Sequence, residues 1–160
     1  MRQISLDTNA MCNPALTSVL LSEFVHTYQS VGQGAPSLPL AFIVLPIAMS
    51  RSTVASFAGT NRRTGFLTWL SRNPQLSLQI PSKVKLAREI TGEALSFGLA
   101  YGLLQVTADG ELQATKKRMK FVHKEINEER MSMVEVARTL GAWTSQLSDQ
   151  MVFFSLGMVP

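Results

Sequence analysis

Two histidines, one cysteine and eleven acidic residues are the groups in this 160-residue chain that could perform covalent, acid–base or metal chemistry. Such work needs convergence: a nucleophile beside a base, or ligands at metal-binding spacing. His26 and His123 stand on unrelated segments, without a second His or Cys at the spacing of a metal site. Cys12 sits in an unpatterned stretch with no base nearby and reads as structural or incidental. Glu125, Glu128, Glu129 and Glu135 lie among basic residues, the pattern of a solvated helical face. Gly32-Gln33-Gly34 lacks the Lys-Ser/Thr of a phosphate-binding loop and follows a helical pattern, not a strand. The sequence therefore offers no catalytic residue, no metal site and no cofactor site, and the expectation is a protein that is not an enzyme.

Binding chemistry is better represented. "KKRMKFVHK" (116–124) sets Lys116, Lys117, Arg118, Lys120 and Lys124 close together. Such a run can neutralise phosphates in a salt-sensitive, sequence-independent way. Its blander reading is a solvated connector lying on an acidic protein surface. Arg62 and Arg63 form a weaker second candidate. Near the end, Met151, Val152, Phe153, Phe154, Leu156, Met158 and Val159 crowd into nine positions. Part of that tail should enter the core and part should dock on another subunit, with Phe153, Phe154 and Met158 as candidate contacts.

The elements that position these residues follow from composition and period. A hydrophobic share of 46% is ample for a core, whereas 16% charged residues is low for a free-standing domain and points to a covered surface. The net charge of +4 suits nucleic acid or an acidic partner. A single cysteine fits a reducing compartment, and the first residues have no signal-type apolar core, so the expected location is cytoplasmic. The most apolar passage, "SLPLAFIVLPIAMS" (37–50), is shorter than the roughly 20 residues of a membrane span and carries two prolines. It reads as a buried central helix, 39–49, kinked or broken near Pro46.

Residues 1–12 read as a loose arm, ahead of one helical domain, 13–160. Asn13-Pro14 opens an amphipathic helix over 14–30, with Leu16, Val19, Leu20, Phe24, Val25 and Tyr28 at helical spacing and His26 beside that stripe. One or two helical turns are expected at 52–58 and a helix at 61–72, stopped by Asn73-Pro74. From about Pro81 a helix carries Leu86, Ile90, Ala94, Phe97 and Tyr101, with a break at Thr91-Gly92 and Thr91 capping a second helix, 92–102. Alternation around Asp109-Gly110 makes 103–115 a hairpin. A basic connector (116–129) and C-terminal helices (130–157) follow, the last capped by Ser148 or Asp149. The expected fold is mainly α, a helical domain with a winged-helix-like β-hairpin. The would-be reading helix, "GEALSFGLAYG", lacks Arg, Lys, Asn and Gln for base edges, which weakens the rival reading as a winged-helix transcriptional regulator.

Several stretches, taken in order, resemble one family. They are "NPAL" (13–16), "LPLAFIVLPI" (38–47), "TGFLTWLSRNP" (64–74), "EALSFGLAYGLLQV" with "DGEL" (93–106, 109–112), and "GAWTSQLSDQMVFFSLGMVP" (141–160). The chain is similar to the small middle component of bacterial three-component ABC-ATPase systems, the group that includes the Lamassu anti-phage systems. The resemblance implies a non-enzymatic adaptor between an SMC/Rad50-like ATPase and a toxic effector, often a nuclease, released or activated on recognition of foreign DNA. It brings no catalytic residues, and it leaves the basic connector's DNA contact undecided.

Overall fold

The computed structural model describes residues 13–118 and 128–159, the side chain of Glu129 excepted. The expected arm 1–12 lies outside that description, as do 119–127 of the connector with Lys120, His123 and Lys124.

Helix α1 (Pro14–Val31) starts as its sequence dictates: the Asn13 side chain accepts hydrogen bonds from the amides of Ala15 and Leu16, and Pro14 occupies the first helical position. It is more deeply enclosed than an amphipathic surface helix. Thr17, Ser18 and Ser22 are buried with the apolar stripe, because α1 packs against several elements at once. Thr17 and Ser18 tolerate burial by donating to carbonyls one turn back.

The apolar passage forms a 3₁₀ turn, Pro39–Ile43, running into α2 (Val44–Ala48). Leu40, Ala41, Ile43, Val44, Leu45, Ile47 and Ala48 are fully buried, as its all-round apolarity requires. The change of winding falls at Ile43–Val44 and not at Pro46. Pro46 lies in the first turn of α2, where an amide has no carbonyl four residues back within that helix, so the missing N–H breaks nothing.

After α3 (Arg51–Ala55), residues 61–64 turn instead of starting the expected helix. The Asn61 side chain accepts from the Arg63 amide, its carbonyl accepts from the Thr64 amide, and Gly65 adopts a φ of 79°. Helix α4 (Phe66–Arg72) begins only there. Asn73 then caps α4 and starts α5 (Pro74–Leu86), which runs through Pro81. Proline at 81 leaves the Ser77 carbonyl without its helical donor. Burial of Leu76 and Ile80 on the core side holds the helix together.

The break expected at Thr91-Gly92 falls instead at Ala87, and α6 (Arg88–Ala100) passes through Thr91, which is buried and not a cap. The expected stripe rotates accordingly: Leu86 and Tyr101 are 82% and 56% exposed, while Ala87, Thr91, Ala94, Leu95 and Gly98 face the core. Each residue advances a helix by about 100°, so moving the junction re-aims the whole face.

Strands β1 (Leu104–Val106) and β2 (Leu112–Ala114) form the antiparallel hairpin, with Val106 opposite Leu112 and Gly110 at a φ of 77°. The hairpin lies on α1, where the Gln29 side chain accepts from the Ala114 amide at 3.0 Å. Its tip is tied down too: the Leu38 amide donates to Gly110 at 3.0 Å and the Leu112 amide to Pro36 at 2.8 Å.

Helices α7 (Glu128–Thr144) and α8 (Asp149–Ser155) close the fold, the Ser148 hydroxyl capping α8 through the Met151 amide. Met133, Val136, Ala137, Leu140 and Trp143 of α7 are buried, and the α1–α7 crossing is the most extensive helix contact. Phe57, Phe66, Trp69 and Trp143 cluster nearby, Phe57 stacking on Trp143 at 5.3 Å. Both indoles are satisfied, Trp69 by the Ser56 hydroxyl and Trp143 by the Asn61 carbonyl. The result is a mainly helical domain with one small hairpin.

Candidate partner-docking surface

Helix α8 carries four consecutive apolar residues, Met151 to Phe154, so its geometry decides which reach the core. Val152, Phe153 and Leu156 fall on the inner face; Phe153 is 4% exposed. Phe154, one position on, points away and is 83% exposed. Beyond the helix, Gly157 takes a φ of 70°, and the Met158 amide donates back to the Phe153 carbonyl at 2.8 Å. That return lays the tail along α8, with Met158 half-buried and Val159 93% exposed.

Two hollows flank this tail. The larger, about 600 Å³, is lined by Leu38, Pro39 and Phe42, by Pro81 and Val84 of α5, and by Phe153, Met158 and Val159. Lys85 and Arg88 are its charged members. Both are exposed, and neither forms an ion pair with a described residue. The second hollow, about 580 Å³, is lined by Ser148, Gln150, Met151 and Phe154, and it shares Met158 and Val159 with the first. Of the three candidate partner contacts, Met158 therefore belongs to both hollows, Phe153 forms the wall of one and Phe154 the wall of the other. The sequence reading starts this helix at about Pro81, whereas α5 starts at Pro74 and carries Pro81, Val84 and Lys85 to the hollow, with Arg88 opening α6.

The basic run behaves differently. Lys116, Lys117 and Arg118 are exposed, but two of them serve the chain itself. The Lys117 ammonium donates to the Tyr101 carbonyl at 2.7 Å, at the C-terminal end of α6 where a cation is favoured. Arg118 approaches Glu23 at 4.0 Å, and Glu23 is also held by Arg138 at 2.8 Å. Arg62 and Arg63 are exposed beside the 61–64 turn. His26, one turn on from Glu23, is half-buried, and its Nε2 has no hydrogen-bond partner among the described residues. Burial, and then the nearby Arg118 charge, hold its imidazole below the usual histidine range, against the opposing pull of Glu23.

Among the described residues no group of three or more His, Cys, Asp or Glu could hold a metal ion. No helix among them is long and apolar enough to cross a membrane. What the geometry presents is a helical scaffold with an extended apolar surface at one end, the property of an interaction module. The whole chain, residues 1–160, matches the family model described as ABC-three component (ABC-3C) system Middle Component 3, and the protein belongs to that family. No curated protein and no solved structure matches the chain.

Proposed function

We propose that this middle component is a non-enzymatic adaptor that holds an SMC/Rad50-like ATPase and a toxic effector nuclease in one cytoplasmic anti-phage complex of the Lamassu type. Membership in a three-component family makes protein partners the expectation, and the apolar surface around Phe154, Met158 and Val159 is the observation that carries the reading. A lone domain rarely leaves a phenylalanine and a valine so exposed beside two apolar hollows unless another protein covers them. In this reading the hairpin is a wing-like element used for protein contact, since its tip is occupied by the 36–38 segment. DNA meets this subunit non-specifically and within the complex, through Lys116, Lys117, Arg118, Lys120 and Lys124.

Co-expression with the two other components of its system, followed by affinity purification through this subunit, tests the proposal. The expected result is a stoichiometric ternary complex whose effector stays silent until DNA is added. A protein that purifies alone, or that binds one promoter sequence with saturable nanomolar affinity, overturns it in favour of the regulator reading. Charge reversal at Lys116, Lys117 and Arg118 should weaken DNA binding by the complex and flatten its salt dependence.

A further inference from the structure

We infer that the hollow between α5, the 3₁₀ turn and the C-terminal tail receives an amphipathic helix of a partner protein, one whose apolar face is flanked by acidic side chains. The inference rests on the adaptor reading and adds the chemistry of one contact. The lining supplies apolar side chains from three separate stretches: Leu38 and Phe42, Val84, and Met158 with Val159. A groove of that make-up suits a helix face presenting anchors one turn apart. The charge on the rim is of one sign. Lys85 and Arg88 stand one helical turn apart along the chain, across the α5–α6 junction, and no described carboxylate neutralises either.

Two unpaired cations beside an apolar trough attract a partner with carboxylates at matching positions and repel a basic one. A carboxylate lipid would satisfy the same groups. The protein partner is favoured because the trough continues through Met158 and Val159 into the second hollow beside Phe154, giving more surface than one small molecule uses.

The test uses overlapping 20-residue peptides covering the other two components of the system, with binding to the full chain followed by fluorescence anisotropy. The expected outcome is that the bound peptides are helical, amphipathic and acidic. Lys85→Glu with Arg88→Glu, and separately Val159→Asp, should each weaken them at least about tenfold while the circular dichroism spectrum is unchanged. Three results overturn the inference: no peptide binds, the bound peptides are basic, or binding ignores these substitutions. A stoichiometric lipid in native mass spectra of the purified protein overturns it too. The adaptor reading has its own readout, assembly of the intact components with the wild-type chain. A complex that forms normally with Lys85→Glu/Arg88→Glu and Val159→Asp removes this groove and leaves the adaptor standing.

Discussion

Gly141 of α7 lies directly against the backbone of α1: a methyl group added there would overlap the Phe24 carbonyl oxygen and stand 3.0 Å from the Tyr28 amide nitrogen. The two most extensively packed helices meet at a point where neither backbone can retreat, since Phe24 and Val25 are themselves fully buried.

Gly141→Ala should therefore destabilise the domain by about 1–3 kcal/mol, as overpacking does in dense cores. Gly92, inside α6, has nothing within 4 Å of the same position, so Gly92→Ala should stabilise by about 0.5–1 kcal/mol through helix propensity. Chemical denaturation of both variants checks the pair. Equal shifts would show that the α1–α7 contact is looser than described.

Ile43 is fully buried within the 3₁₀ turn. Ile43→Asp should abolish the cooperative transition, an unpaired buried charge costing several kcal/mol. Phe154→Asp, on an exposed position, should leave the melting temperature nearly unchanged and reduce only partner binding. A folded Ile43→Asp protein that had lost its partner would place the central passage at an interface.

Thr91 has a buried hydroxyl with no hydrogen-bond partner among the described residues. Replacing it by the isosteric valine removes the desolvated hydroxyl, and Thr91→Val should be neutral or stabilising by up to about 1 kcal/mol. A loss of more than that, read in the same denaturation assay, would reveal a partner for the hydroxyl.

His26 makes stability acid-sensitive. Its folded-state pKa lies below that of an exposed histidine, so the unfolded chain binds the proton first as pH falls. The native-state advantage is full above about pH 6.5 and is lost as pH drops through that value toward the folded pKa. Thermal melts at about pH 7.5 and 5.5 should show a larger acid-induced drop for the wild type than for His26→Gln. Equal drops would exclude this residue as the source.

Local chemistry was legible where one short signature decides the outcome. Asn13-Pro14, Asp109-Gly110 and Ser148 each produced the start or turn their side chains favour. The lengths of α5 and α6 were not legible, because Pro81 and Thr91 normally mark ends and here sit inside helices kept by tertiary burial. Composition marked the apolar C-terminal stretch but could not divide it into inward and outward faces. In a run as uniformly apolar as 151–159, whether Phe153 or Phe154 faces inward depends on how α8 is rolled against its neighbours. The close approach at Gly141 left no signal at all, since a helix-interior glycine looks the same whether it is crowded or free.

The stitches from Pro36 and Leu38 to the hairpin tip make a mechanical linkage. Leu38 both donates to the Gly110 carbonyl at the hairpin tip and lines the hollow beside α5. A load that tilts the hairpin pulls on that residue, and the largely buried 40–47 run behind it is packed into the core. A molecule that moved the hairpin tip would thus act on one seated in the hollow through the Pro36–Leu38 backbone.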